Sequence, residues 1–370
     1  MFLAWREMRR AKLRFTLLVV AIALLVFLIL AQQALQNGLI TSFIGAIERQ
    51  SAPVLVYSVD GQRTLQGSVI TPSLQKTVEG VPGVAEAGRI GQGTFTVRVN
   101  GAAQSDGALI GYERAAVGGP ASLTAGRMPR APGEAVGSAG DFSIGDTVRV
   151  VPGGVPRLRV VGLSRDAQIQ VTPTLFTRWS DYVSARRAVD PEARLVLPSA
   201  IGVRPATGIS PSSLARRINA SSSEADALTR RDAAQSAPGV KAVRTSFNII
   251  FLLFALVVPL VTGLFFLIIT LQKARSLTLL RAIGAPGGAL VRSLLAEVAL
   301  LTGAGVTIGT LLFVPLSQAR LGKLQLSFDG AAVLFWAALL IGLALASATV
   351  AARRVLAIDP YEATTGGGGL

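Results

Sequence analysis

The run Gln272-Lys-Ala-Arg-Ser-Leu-Thr-Leu-Leu-Arg-Ala-Ile-Gly284, followed by Ala-Pro-Gly-Gly288, sits between two long apolar stretches, residues 247–271 and 289–316. A basic segment in that position reads as a loop and short helix joining two membrane-spanning helices on the cytoplasmic side. Placed on a helix, Leu277, Leu280 and Ile283 recur at spacings of three, with Arg275 and Arg281 outside that apolar stripe and the glycines from Gly284 ending it. Such a helix fits a groove on a partner protein. The blander reading is a helix lying on the membrane surface, where its basic residues meet anionic lipid.

Working outward, residues 14–36 and 330–352 are two further apolar runs. At a helical rise of about 1.5 Å, each of the four spans is long enough for a hydrocarbon core of about 30 Å. The first run ends in Gln-Gln-Ala-Leu-Gln and is longer than a signal-peptide core, so an uncleaved span is expected. Arg6, Arg9, Arg10, Lys12 and Arg14 precede it, Lys273, Arg275, Arg281 and Arg292 flank the central loop, and Arg353 and Arg354 follow the last span. By the positive-inside rule, segments 1–13, 272–288 and 353–370 are cytoplasmic, 317–329 is a short external loop and 37–246 is an external domain. The expectation is a multi-pass protein of the cell membrane with both termini in the cytoplasm. A mean hydropathy of +0.53 agrees. The formal charge of +15 is spread over dispersed arginines with few aromatics among them, a pattern that argues against nucleic acid.

The external stretch has the texture of an α+β domain. Strands are expected at 53–59, 94–99 and 108–111, a helix at 72–79, and a hairpin from 147–151 and 157–162 around Pro152-Gly-Gly154. Thr77-Val-Glu-Gly-Val-Pro-Gly-Val84 echoes Asp232-Ala-Ala-Gln-Ser-Ala-Pro-Gly-Val-240, each a short helix broken by Pro-Gly before a strand; repeat and coincidence are equal readings. The four glycines from Gly366 form a tail without fold content.

The chain has no cysteine and no histidine, which removes disulfides, thiol nucleophiles, Ser-His-Asp catalysis and His-based zinc sites. No Gly-x-x-x-x-Gly-Lys-Ser/Thr loop is present, so any ATP and its Mg²⁺ belong to another chain and this one carries no cofactor, metal or catalytic residue. Glu297 is the only acidic residue in an expected span, which speaks against a proton- or sodium-coupled carrier. Pro259 and Pro315 invite kinks, and Gly303, Gly305 and Gly309 permit close helix approach, with packing favoured over a gating hinge.

The basic central loop, its Leu-Arg-Ala-Ile-Gly-Ala run, and the ending Arg353-Arg-Val-Leu-Ala-Ile-Asp359-Pro360-Tyr-Glu362-Ala363 together resemble the permeases of the MacB/FtsX superfamily, the type VII ABC transporters. Leu123-Thr-Ala-Gly-Arg-Met-Pro129, Pro132-Gly-Glu134 and Ile144-Gly-Asp146 resemble that family's periplasmic core. The resemblance implies four transmembrane helices plus an extracytoplasmic α+β domain, in the split form whose ATPase is a separate subunit. It further implies a permease homodimer in membrane lipid, driven through Arg275, Leu277, Leu280, Arg281, Ile283 and Gly284, with the stroke passed outward as mechanotransmission. Many family members carry an acidic residue after the loop arginine, where this chain has Ser276, which puts the particular docking contacts in doubt.

Two functional classes follow from the resemblance. An exporter of a hydrophobic or amphipathic substrate needs a lateral opening, for which Phe247, Phe251 and Phe254 are the candidates. An FtsX-like regulator of an extracytoplasmic cell-wall hydrolase needs an exposed docking patch in 37–246. A sensory subunit for antimicrobial peptides ranks lowest, since those relatives carry more spans. The loop run is nearest the haem-exporter-like branch. Were haem the cargo, the missing histidines would leave ligands such as Glu48, Tyr57 and Met128, which no spacing selects.

Overall fold

The computed structural model describes residues 12–193, 195–282, 286–317, 320–321, 324–325 and 330–356. They fall into a helical unit, residues up to 37 with 245–320 and 325 onward, and a sheet unit, residues 38–244 with 321–324. The first helix, α1 (Lys12–Glu48), has 37 residues and is about 55 Å long at the ordinary helical rise. The boundary expected at residue 36 therefore falls inside it. No proline interrupts the stretch, and beyond Gly38 the apolar residues Ile40, Phe43, Ile44 and Ile47 keep helical spacing. Ile44 and Ile47 are buried in the core of the sheet unit, and that burial offsets the helix cost of the isolated glycine.

After α1 the chain runs through β1 (Val54–Ser58), α2 (Pro72–Glu79), β2 (Val84–Val99), β3 (Gln104–Tyr112), β4 (Ala125–Gly126), β5 (Glu134–Ser138), β6 (Thr147–Val151), β7 (Arg157–Ser164) and β8 (Thr174–Arg178). It continues with α3 (Trp179–Val189), β9 (Ala200–Pro205), α4 (Pro211–Ser221), β10 (Ala225–Thr229) and α5 (Arg230–Ser236). The strands share one sheet, ordered β10-β1-β9-β2-β3-β8-β5-β7-β4, with β6 pairing β2 and β7. The expected helix at 72–79 and the hairpin β6–β7 are present, whereas the strand expected at 94–99 is the end of a strand of 16 residues.

Strands β10-β1-β9-β2 with α2 and α4 form a split βαβ arrangement, into which residues between β2 and β9 are inserted. Its halves start their helices alike. In Ile70-Thr-Pro-Ser the Thr71 hydroxyl accepts from the Leu74 amide at 3.2 Å, and in Ile209-Ser-Pro-Ser the Ser210 hydroxyl accepts from the Ser213 amide at 3.2 Å. A proline follows each cap, where its missing N–H costs nothing. Leu74, Val78, Leu214 and Ile218 from these helices bury against Val54, Val56, Ile201 and Val203 of the sheet. This is a repeat, but the Pro-Gly echo does not mark it: after Pro82-Gly83 the chain enters β2, whereas after Pro238-Gly239 it enters the long helix α6 (Val240–Ala282). Strand β10 lies at the sheet edge, where the Asn219 side chain donates to the Ala227 carbonyl at 3.0 Å and accepts from its amide at 2.6 Å. Those two bonds block the edge against a foreign strand.

The inserted part packs α3 on the sheet through Tyr182 and Ala185. Gly91 and Gly111 lie opposite each other in the β2–β3 register, and the Tyr182 ring lies over both. A Cβ on Gly91 would sit 2.3 Å from that ring and one on Gly111 2.2 Å from the Tyr182 Cβ, so glycine is required here by close approach. The motifs at 123–134 and 144–146 have physical roles. Glu134 pairs with Arg127 (Nη1 to Oε2 2.8 Å) and accepts the Arg130 amide at 2.8 Å, closing the loop between β4 and β5, while Asp146 accepts the Ser143 amide at 2.7 Å to shape the turn into β6. The Arg127 guanidinium and the Arg130 amide hold the Glu134 carboxyl down at about 2. Because the folded value lies below the unfolded one, this contribution is fully present above about pH 4.5 and is lost as pH falls toward 2. The stability of the intact chain is therefore expected to fall as pH drops through that window, and the Glu134→Gln variant to show a flatter profile across it.

In the helical unit, α6, α7 (Gly287–Ser317) and α8 (Gly330–Leu356) join the apolar part of α1 as four helices long and apolar enough to cross a membrane. Two-residue strands β11 (Arg320–Leu321) and β12 (Leu324–Gln325) pair between α7 and α8. The separate loop and short helix expected at 272–288 are not separate: α6 continues unbroken through Ala282. Between Gly263 and Gly284 there is no glycine or proline to stop it, and Leu271-Gln-Lys-Ala-Arg275 are all strong helix formers.

Gly305 and Gly309 face α1, where an added Cβ would lie 2.5 Å from an Ile22 side-chain carbon and 2.5 Å from the Ala23 carbonyl oxygen. Gly303 faces open space. Small residues four apart thus let two backbones meet, as in membrane helix packing generally. Gly309→Ala is expected to lower the thermal midpoint of the detergent-solubilised protein, while Gly303→Ala leaves it level or slightly raised through better helix propensity.

Candidate functional site

The residues singled out for coupling are spread along one helix end. Arg275, Leu277, Leu280 and Arg281 fall in the last turns of α6, whereas Ile283 and Gly284 lie outside the described residues, as do Asp359, Pro360, Glu362 and Ala363. Of the phenylalanines proposed for a lateral opening, Phe251 stacks on Trp336 of α8 with ring centroids 5.4 Å apart, and Phe254 packs with it against the core of the helical unit. Phe247 is half-buried. Glu297 is buried and engaged with a neighbour.

A site that the sequence did not disclose lies at the end of α1. Residues 166–171, between β7 and β8, form a strap across the helix end. The Gln170 amide donates to the Phe43 carbonyl at 3.0 Å, the Val171 amide to the Ser42 carbonyl at 2.8 Å, and the Ala46 amide to the Gln168 carbonyl at 2.8 Å. Arg49 closes it with an ion pair to Asp166 at 3.0 Å. Asp166, Gln170 and Val171 adopt left-handed backbone with φ of 52°, 51° and 59°. For a β-branched valine that conformation is a true outlier and costs about 1–3 kcal/mol, so the strap persists because its amides are held by the helix.

Gly45 makes this contact sterically feasible, since a Cβ there would lie 2.1 Å from the Asp166 carbonyl oxygen. A glycine inside an apolar helix was the available signal, because it costs about 1 kcal/mol unless something packs against it. Propensity alone makes Gly45→Ala stabilising; the contact with Asp166 reverses the sign. The variant is expected to lose roughly 1–3 kcal/mol in chemical unfolding followed by circular dichroism.

Beside the strap is a cavity of about 240 Å³. Phe43, Ile44 and Ile47 of α1 form one wall, Ile169 and Gln170 of the strap another, and Ala237 and Pro238, which lead into α6, a third. Leu65 adds to the apolar lining, and Arg63, Thr64, Gln66 and Gln92 supply the polar part. Arg63 is tied to Asp226 at 2.8 Å, and the Gln170 amide nitrogen donates to Gln66 at 3.2 Å. Gln92 is different. It is 5 % exposed, and neither its amide nitrogen nor its amide oxygen has a hydrogen-bond partner among the described residues.

The backbone of Gln92 is pinned on both sides, its amide donating to the Ser199 hydroxyl at 3.1 Å and its carbonyl accepting from Tyr182 at 3.0 Å. Strand alternation then directs its side chain to the sheet face that carries Ile90, Ile110 and Tyr112. The hydroxyls of Tyr57 and Tyr112 in the same core are also without hydrogen-bond partners among the described residues. Burial, with Asp226 nearby, raises the Tyr57 phenol well above its ordinary pKa, and burial pushes Tyr112 up to about 12.

The iron ligands considered from sequence do not converge here. Tyr57 is fully buried, Glu48 is exposed, and neither they nor Met128 line the cavity. Among the described residues no cluster of three His, Cys, Asp or Glu side chains suits a metal ion.

Residues 248–360 match the FtsX-like permease C-terminal family. Over 373 residues the chain is 22 % identical to a Staphylococcus haemolyticus protein named as a hemin transport system permease, HrtB, covering 99 % of each chain. A Staphylococcus epidermidis protein of the same name is 21 % identical over 99 % of this chain and all of its own. Among solved structures, the extracellular domain of the noncanonic ABC-type transporter YknZ from Gram-positive bacteria aligns at 14 % identity and TM-score 0.32, over 48 % of this chain and 99 % of that one. The periplasmic region of MacB from Actinobacillus actinomycetemcomitans aligns at 12 % identity and TM-score 0.36, over 52 % and 96 %. Residues 248–360 thus carry an FtsX-like permease domain on the membrane helices, and over its whole length the chain is similar to permeases of this kind.

Proposed function

We propose that this chain is the membrane subunit of an exporter for a hydrophobic or amphipathic compound, powered by a separate ATPase and acting by mechanotransmission. Two permease copies would assemble in the cell membrane with their termini in the cytoplasm and the sheet units outside. The ATPase would engage the end of α6 at Arg275, Leu277, Leu280 and Arg281, with Ile283 and Gly284 just beyond. ATP-driven displacement of that end would travel along α6 to its first residues, while α1 carries motion to the strap. The observation that carries this reading is that the end of α1 and the start of α6 share one core: Ile44, Ala46 and Ile47 pack in the same cluster as Ala237 and Val240. A ligand or motion felt at one helix is therefore felt at the other.

The names of the staphylococcal relatives favour transport over hydrolase regulation and make hemin a cargo to be tried first. The decisive experiment purifies the chain with the ATPase encoded beside it and measures ATP turnover with hemin and a panel of lipophilic compounds. At least one should stimulate turnover about fivefold or more, the range of ordinary coupling free energies. The Arg275→Glu/Arg281→Glu double variant should lose co-purification of the ATPase. Absence of stimulation by every compound, together with capture of a cell-wall hydrolase, would overturn the export reading.

A further inference from the structure

We propose that the cavity between the α1 end, the strap and the start of α6 is a binding site for a small amphiphile bearing an uncharged amide-like edge, read by Gln92, and that it does not accept a porphyrin. Taken with the export function, on which this part of the inference rests, the occupant is the system's cargo or a close mimic of it.

The argument begins with Gln92. A buried polar group with no partner costs about 1–3 kcal/mol, and here one amide leaves a donor and an acceptor unused together. Such a side chain is retained when something absent from the free chain satisfies it. Its chemistry then defines the complement. A glutamine offers one donor beside one acceptor, so it pairs best with an edge that returns acceptor and donor: a primary carboxamide, a cis-lactam or a neutral carboxylic acid. An ionised carboxylate satisfies only the donor half and leaves the glutamine oxygen facing negative charge. The one cation lining the cavity, Arg63, is already paired with Asp226.

The rest of the lining sets size and polarity. Phe43, Ile44, Ile47, Leu65, Ile169 and Pro238 take an apolar chain or ring. A volume of about 240 Å³ corresponds to about eight waters and lies below the range of about 300–1,000 Å³ usual for drug-sized ligands. Among the described lining residues no methionine, tyrosine or carboxylate could ligate the iron of a porphyrin. Because the walls belong to the α1 end, the strap and the α6 start, an occupant would hold all three together. Ligand binding would thus stiffen the very joint through which the stroke passes.

The test uses the full-length chain in lipid nanodiscs and titration calorimetry with N-hexanoyl-glycinamide, with hexanoate and hemin as comparators. The amide is expected to bind saturably, one per chain, and hexanoate at least about tenfold more weakly, a difference of about 1.4 kcal/mol. Gln92→Leu, which removes the orphaned amide but keeps the bulk, should weaken the amide probe by at least the same factor without lowering the thermal midpoint. Gln66→Trp, at the exposed rim, should block it by filling the cavity. Equal binding by wild type and both variants, no binding of the amide, or hemin binding that Gln92→Leu abolishes would each overturn the assignment. Probe binding with no stimulation of ATP turnover by any compound would instead count against export and leave the pocket standing.

Discussion

Three backbone hydrogen bonds between the end of α1 and the strap at 168–171, made feasible by Gly45, are the constraint on which the rest of the arrangement depends. They make the last turns of α1, from Gly38 on, part of the sheet unit. Without them Ser42 and Phe43 would end a freely fraying helix, and the left-handed residues of the strap would have nothing to repay their strain. With them, Ile44, Ala46 and Ile47 are fixed in the core beside Ala237 and Val240, and the cavity acquires three of its walls. Fold and candidate site are in this sense one feature.

Much of the architecture was legible because it rests on long-period signals. Apolar runs of membrane length need only composition to be recognised, and the strands at 54–58, 108–111 and 147–151 announce themselves by alternation and by flanking glycine and proline. The helix at 72–79 was read from the sequence, whereas α4 was not, although Ser210-Pro211 caps it as Thr71-Pro72 caps α2. Length was harder to read than existence. Both α1 and α6 run past the expected ends of their spans, α1 because Ile40, Phe43, Ile44 and Ile47 pack into the sheet unit and α6 because the helix formers from Gln272 give the backbone no reason to stop.

The joint and the pocket were not legible, and the reason is physical. Gly45 meets Asp166, more than a hundred residues away, and no local pattern encodes such a pairing. Gln92 in Gly91-Gln-Gly93 looks like an ordinary polar position on a half-exposed strand. Only the packing of Tyr182 on one face and the burial of Ile90, Ile110 and Tyr112 on the other make its amide an anomaly. The family resemblance pointed to a permease, but it said nothing of this pocket.

The central claim is that the α1 end and the strap move as one body, and amide hydrogen exchange on the full-length protein tests it most directly. The Gln170 and Val171 amides sit in an irregular loop yet donate to carbonyls of α1. If the joint is rigid, they should exchange as slowly as the β2–β3 ladder. Exchange at the fast rates of an unbonded surface loop would contradict the account.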